Sequence, residues 1–352
     1  MQKTLAKCTS TLEGTSLHTG QTVKLVIKPA EPNTGFKFRR IDLPDKPFLD
    51  ASAAKVQSVE RATTIADGAV KVHTVEHILS ALTGMGVDNA IIEMDANEPP
   101  IGDGSALPYV EMIKKAGIVE QNAPLKVWEI REPIKVENKN GSTIVIMPSR
   151  DFRISLTAVG PNGRVTQYFD SVITPETYEK ELSNSRTFCF YEDIQPLLEK
   201  GLIQGGTLDN AIVIKGEEYL CAGGLRFHNE CARHKAMDLI GDFILCGHRI
   251  MGHVIAIMPG HGINTQMAAK LQQKYESMEA QRPRPITIPN GDAVLDTMEV
   301  MKLLPHRFPF LLVDFAVIFS FGNHGQDLFF GDTAVIGELE YLGQQDRCIL
   351  SG

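Results

Sequence analysis

A chain of 352 residues, 43% hydrophobic and 22% charged, can build two or three cores and is too apolar to be disordered throughout. Lys+Arg 35 against Asp+Glu 43 gives a formal charge of −8, which excludes a global basic field for nucleic acid or an anionic membrane surface. An anionic substrate would need a local basic pocket.

The opening MQKTLAKCTSTLEGTSLHTG has no apolar stretch of the kind an export signal needs, so the cytoplasm is the expected location. The six cysteines lie scattered without a C-x-x-C pair and are expected to be reduced, mostly buried thiols. From Thr22 to Phe38, alternating apolar and polar residues flank a Pro/Asn/Gly turn, which predicts a hairpin. A helix over about 75–83, the strand NAIIEM, the turn-rich EPPIGDGSA and a helix near Pro108–Ala116 come next.

After IVEQNAP the cycle restarts. Strands KVWEI and STIVIMP, further strand to about Asp170, a helical stretch, strand AIVIK and a long helix from about 229 lead to strand HVIAIMP and helical NTQMAAKLQQKYESM. The expected fold is α+β: two similar sheet-plus-helix domains, 1–122 and 123–279, packed together. QRPRPITIPNG is rich in proline and reads as a linker over 280–290, leaving 291–352 as a separate segment. The apolar run Phe308 to Phe321, broken by Pro309 and Asp314, falls short of the roughly 20 residues of a spanning helix and reads as core.

Two helices carry candidate chemistry. In HTVEHILSALTG, Thr74 is the expected N-cap, Glu76 and His77 occupy the first turn, and Gly84 lies just past the end. In NECARHKAMDLIGDF, Ala232, Ala236, Leu239, Ile240 and Phe243 share one face, while His234, Asp238 and Asp242 at i, i+4, i+8 share the other. Each helix alone is explained by capping or by a solvated polar face. Taken together, His77, His234 and Asp238 supply the three protein ligands of a catalytic zinc site, with Glu76 as the carboxylate that takes a proton from water. His73 and His77 also match H-x-x-E-H, but both could bind metal only if 73–77 were helical, and an N-cap at Thr74 leaves His73 outside.

The motifs EGTSLHTG, HTVEHILSALTGMGVDN, EPPIGDGSA, SRTF, GGTLDNAIV, GGLRFHNECARHKAMDLIGD and PGHGINTQMAAKL, in this order between about residues 3 and 275, resemble the UDP-3-O-acyl-N-acetylglucosamine deacetylases that commit Gram-negative bacteria to lipid A synthesis. The resemblance implies a zinc amidohydrolase whose metal lies between the two domains on His77, His234 and Asp238, with Glu76 as base. It implies that His261, in the loop PGHG, is a second catalytic histidine charge-paired with Asp242. Thr187 would stabilise the oxyanion, and Lys235, Phe188 and His18 would contact an acylated UDP-sugar. A β-α-β insert at about 188–211 would wall the acyl passage. Ferrous iron would suit the same ligands.

MKLLPHRFPFLLVD (301–314) is similar to the start of the 3-hydroxyacyl-acyl-carrier-protein dehydratases, fused behind such deacetylases in Bacteroidetes-type bacteria. The GHFPG and L-x-x-E-A motifs of that family have no counterpart here. The expectation is an incomplete hot-dog-like segment without dehydratase activity, and contact with an acyl carrier protein only if that segment were complete. A bifunctional enzyme and a non-catalytic zinc scaffold are the alternatives.

Overall fold

The computed structural model describes residues 1–281 and one short antiparallel pair, Ile318–Phe319 with Leu328–Phe329. The chain divides into two units, Met1–Ser277 and Met278–Gly352, and the first holds both large sheets. The expectations for the linker beyond 281 and for the dehydratase-like segment fall outside the described residues. Among the described residues, no helix is long and apolar enough to cross a membrane.

The first half is a five-stranded sheet in the order Leu12–Thr15, Thr22–Pro29, Ala90–Met94, Phe36–Arg40, Phe48–Asp50. The hairpin expected over 22–38 does not form. Ala90–Met94 inserts between its two strands, antiparallel to Thr22–Pro29 and parallel to Phe36–Arg40. The connection across residues 30–35 therefore spans two strand spacings, about 9.5 Å, which a two-residue hairpin turn would not cover. AIIEM takes the central position because its apolar residues leave neither of its faces exposed.

The second half repeats this plan. Its sheet runs Ile134–Glu137, Thr143–Met147, Arg249–Ile257, Phe152–Ala158, Gln167–Val172, with the same alternation of antiparallel, antiparallel, parallel and antiparallel pairs. In each half a helix precedes the central strand: α1 (Glu76–Gly84) in the first and α4 (Glu230–Phe243) in the second. Each central strand is followed by a further helix, α2 (Leu107–Ala116) and α5 (His261–Gln281). Between the last sheet strand and the helix, the first half carries a three-stranded sheet, Val56–Val72. The second carries a π-turn, Tyr178–Leu182, and a β-α-β unit made of Phe188–Phe190, α3 (Tyr191–Glu199) and Ile212–Lys215, its strands parallel.

Helices α1 and α4 pack against each other and neither is amphipathic in the ordinary sense, because almost every side chain of both is buried. Small residues allow the contact. A Cβ on Gly241 would stand 2.0 Å from the Glu76 carbonyl oxygen, and one on Gly84 would meet the Tyr178 ring at 2.3 Å. Gly84 is thus inside α1 and serves packing, not termination. Ser80 Oγ, inside the contact, donates to the Met237 carbonyl at 2.7 Å and accepts from Tyr178 Oη at 2.9 Å. One apolar core extends through both halves.

Candidate active site

Where α1 meets α4, the sequence-expected residues converge. Thr74 does not cap α1: its φ is 53°, and its Oγ1 donates to Glu98 Oε1 at 2.7 Å, while the helix begins at Glu76 with Val75 in the cap position. His73 nevertheless lies outside the helix, as expected. Its Nδ1 is 2.9 Å from Thr64 Oγ1, and it is not part of the ligand group.

His77, His234 and Asp238 are all buried and offer ligand atoms within 4.8 Å of one another. Asp238 Oδ1 stands 3.4 Å from His234 Nε2 and 3.6 Å from His77 Nε2. Ligand atoms on a tetrahedral ion at about 2.0–2.1 Å sit about 3.4 Å apart, so the spacing fits a metal. The chemistry fits as well: Asp238 Oδ1 is buried without a hydrogen-bond donor, which a buried carboxylate tolerates only beside a cation. Burial above all pushes both imidazoles down, each to about 3, so both are neutral with lone pairs to give. His234 Nδ1 lies 3.1 Å from the Ser185 carbonyl. A carbonyl only accepts, so Nδ1 bears the proton and Nε2 is bare. The α4 face read as solvated in isolation is fully enclosed.

Glu76 and His261 form the second tier. Glu76 Oε2 accepts from the Thr63 backbone N–H at 3.1 Å, and Oε1 lies 3.7 Å from His261 Nε2. His261 is not in a loop, as the PGHG turn suggested, but is the first residue of α5. Its Nδ1 is 3.0 Å from Asp242 Oδ2, and Asp242 is completely buried. Burial raises the Glu76 pKa, although His261 opposes this, and the nearby Asp242 and Asp238 charges raise it further. For His261 burial pulls down, but the Asp242 and Glu76 charges and the Asp242 hydrogen bond outweigh it and hold the ring above its ordinary value.

The cleft over this cluster measures about 190 Å³. Every expected site residue lines it except Asp242, which stands behind His261. Thr187 and Phe188 enter from the β-α-β unit, and Lys235 lies with Nζ 5.6 Å from the Phe188 ring centroid and 3.9 Å from Asp238 Oδ2. His18 is buried with both ring nitrogens unpartnered.

Several participants were not expected from the sequence. Thr63 ties the second tier together, its N–H on Glu76 and its Oγ1 on Asp242 Oδ1 at 2.5 Å. Asn264 donates to Asp242 Oδ2 at 2.9 Å. Glu98, wholly buried, accepts from the backbone of His18 and Thr19 and from Thr74. Arg61 lines the cleft and pairs with Asp193 at 2.8 Å. Asn264, three residues past His261, and Glu98, which opens EPPIGDGSA, lie within motifs already singled out, whereas Arg61 and Thr63 do not. Of the described cysteines, all free, Cys231 and Cys246 are buried, Cys189 and Cys221 half-buried and Cys8 exposed. The expected burial of most thiols therefore holds for only two.

Fold and site together define a duplicated α+β protein with a His-His-Asp metal-competent cluster and a carboxylate–histidine pair at the seam. A family model described as LpxC, UDP-3-O-acyl N-acetylglycosamine deacetylase, matches residues 2–273, and the chain belongs to this family of hydrolases. It is similar to the bifunctional enzyme LpxC/FabZ of Porphyromonas gingivalis, at 38% identity over 328 residues, covering 86% of this chain and 71% of that protein. It is also similar to the UDP-3-O-acyl-N-acetylglucosamine deacetylases of Myxococcus xanthus, 39% over 285 residues (80% and 90% covered), and Saccharophagus degradans, 41% over 273 residues (76% and 88%).

Proposed function

We propose that this enzyme hydrolyses the N-acetyl group of UDP-3-O-(3-hydroxyacyl)-N-acetylglucosamine in the cytoplasm, a step of lipid A synthesis, using zinc on His77, His234 and Asp238. The observation that carries the reading is the bare Asp238 oxygen between two neutral imidazoles, with Glu76 and the His261–Asp242 pair on the same cleft. Zinc there would supply a Lewis acid for the acetamide carbonyl and acidify water.

The chain's own groups do the rest. Glu76, made more basic by burial, takes one proton from the attacking water as its oxygen bonds to the carbonyl carbon. The Thr187 hydroxyl donates to the oxygen that becomes negative. His261, kept protonated by Asp242, delivers its proton to the sugar nitrogen as the C–N bond breaks, leaving a free amine and acetic acid, which ionises to acetate by losing the water's second proton to solvent. Phe188 and the β-α-β unit wall the acyl chain, while Lys235 and His18 contact the polar substrate. The two domains are 1–122 and 123–279. Some of the relatives are named bifunctional enzymes, and the activity proposed here is the deacetylation.

The test is an acetate-release assay on the acylated UDP-sugar with metal-stripped and zinc-restored protein, beside Glu76→Ala. Activity should vanish on stripping, return with zinc and be lost in the variant. Full turnover without metal, or with Glu76→Ala, would sink the mechanism.

A further inference from the structure

Residues Ser185, Arg186 and Thr187 run past the start of α4, and each makes a different attachment. The Ser185 carbonyl takes the His234 Nδ1 proton at 3.1 Å. Thr187 faces the cleft, its backbone N–H on the Gly104 carbonyl at 2.8 Å. Between them Arg186, 1% exposed, is directed into the protein onto Glu230, 0% exposed.

Glu230 is saturated by this arrangement. Oε1 accepts from the Arg186 backbone N–H at 3.0 Å and from Nε at 2.9 Å, while Oε2 accepts from Nη2 at 3.3 Å and from the Arg226 backbone N–H at 2.7 Å. Nη1 also donates to the Ala222 carbonyl at 3.0 Å and Nη2 to the Gly224 carbonyl at 2.6 Å. Glu230 lies four residues before His234, one helical turn away on the same face.

A buried ion pair is a poor device for stability alone, since apolar residues of similar volume often fold as well or better. What apolar residues lack is direction. The Arg186–Glu230 pair fixes where the 185–187 segment sits along α4, and so fixes which carbonyl meets His234 and where the Thr187 hydroxyl stands.

We infer that Arg186 and Glu230 are a positioning pair, holding the Ser185 carbonyl against His234 and Thr187 in the cleft so that His234 presents a bare Nε2. The consequence for metal and turnover rests on the function proposed above; the consequence for the His234 tautomer does not.

The decisive variant is Arg186→Met/Glu230→Met, which removes both charges together, with Arg186→Lys as the conservative companion. Three quantities are read: the His234 tautomer from ring ¹⁵N shifts of metal-free protein, the zinc Kd by chelator competition, and kcat and KM for acetate release. The double variant should melt within about 5 °C of the parent, show mixed His234 tautomers, and bind zinc roughly 10–100-fold more weakly. Its kcat should fall by a similar factor while KM changes little. Arg186→Lys should move the same way by less, and should do so even if the double variant fails to fold. If the tautomer, zinc Kd and kcat stay at parent values in whichever variant folds, the pair only supports the fold and the inference is overturned. A parent with a single Nδ1–H tautomer that the variants lose, yet with no zinc affinity, would support the positioning pair and refute the proposed function.

Discussion

The two halves of the molecule share one sheet topology and place a buried helix at the same point in it, yet they contribute unequally to the cleft. The first half offers Glu76 and His77 from the first turn of α1; the second offers His234, Asp238 and Asp242 from three successive turns of α4, and His261 from α5. The insertions differ more. A small sheet in the first half brings Arg61 and Thr63, and a β-α-β unit in the second brings Thr187 and Phe188. The repeated fold fixes where two helices meet, and the unequal insertions decide what is presented there.

The largest effect expected is on the first half's contribution. Glu76→Gln should lower acetate release by about 10²–10⁴-fold while zinc still binds to stoichiometry; a variant within about tenfold of the parent would remove Glu76 as the base.

On the second half, Asp242→Asn should cost roughly 10–100-fold in kcat, the range for lost supporting hydrogen bonds, and move the alkaline limb of the pH profile. His261 acts in its protonated form, and Asp242 raises its pKa. Removing that charge lowers the pKa, so activity should fall off at lower pH than in the parent. An unmoved limb would assign the protonated group elsewhere.

The seam itself is tested by Gly241→Ala. The added methyl would stand on the Glu76 carbonyl, so the helices must separate, at about 1–3 kcal/mol of overpacking. Urea denaturation should show that loss, and zinc titration a weaker site. Parent-like affinity would mean that close approach is not what brings the ligands together.

An effect of similar size concerns stability in acid. Burial alone would raise Glu230, but the Arg186 hydrogen bonds and two backbone N–H groups hold it below the usual carboxylate range. Its contribution is therefore complete above the unfolded value of about 4.3 and declines as pH falls below it. Glu230→Gln should lose about 1.5–3 kcal/mol at neutral pH and flatten the acid limb of denaturation midpoint against pH. A parallel acid limb would show that Glu230 does not titrate with folding.

Periodicity located the long helices well because a helix's spacing is a local property. It failed on the hairpin because whether 22–29 pairs with 36–40 depends on a strand fifty residues further on, and nothing in the turn records the intruder. The convergence of His77, His234 and Asp238 was anticipated only by taking two helices together, since each helix alone had an ordinary explanation while two imidazoles and a carboxylate suit one metal. Thr63 and Glu98 were not, since a threonine just before a strand and a glutamate beside two prolines have ordinary local explanations. Thr74 was misread for a related reason. Its hydroxyl can bond the helix or a distant carboxylate, and only the tertiary fold places Glu98 within reach.

Ser80 and Met237, joined across α1 and α4, are 157 positions apart in the chain. α4 alone brings His234 and Asp238 together, but loop closure of that length must come before His77 can join them. If the proposed metal binds there, its uptake during refolding would time the arrival of α1 at α4, and would be blind to the formation of α4 itself.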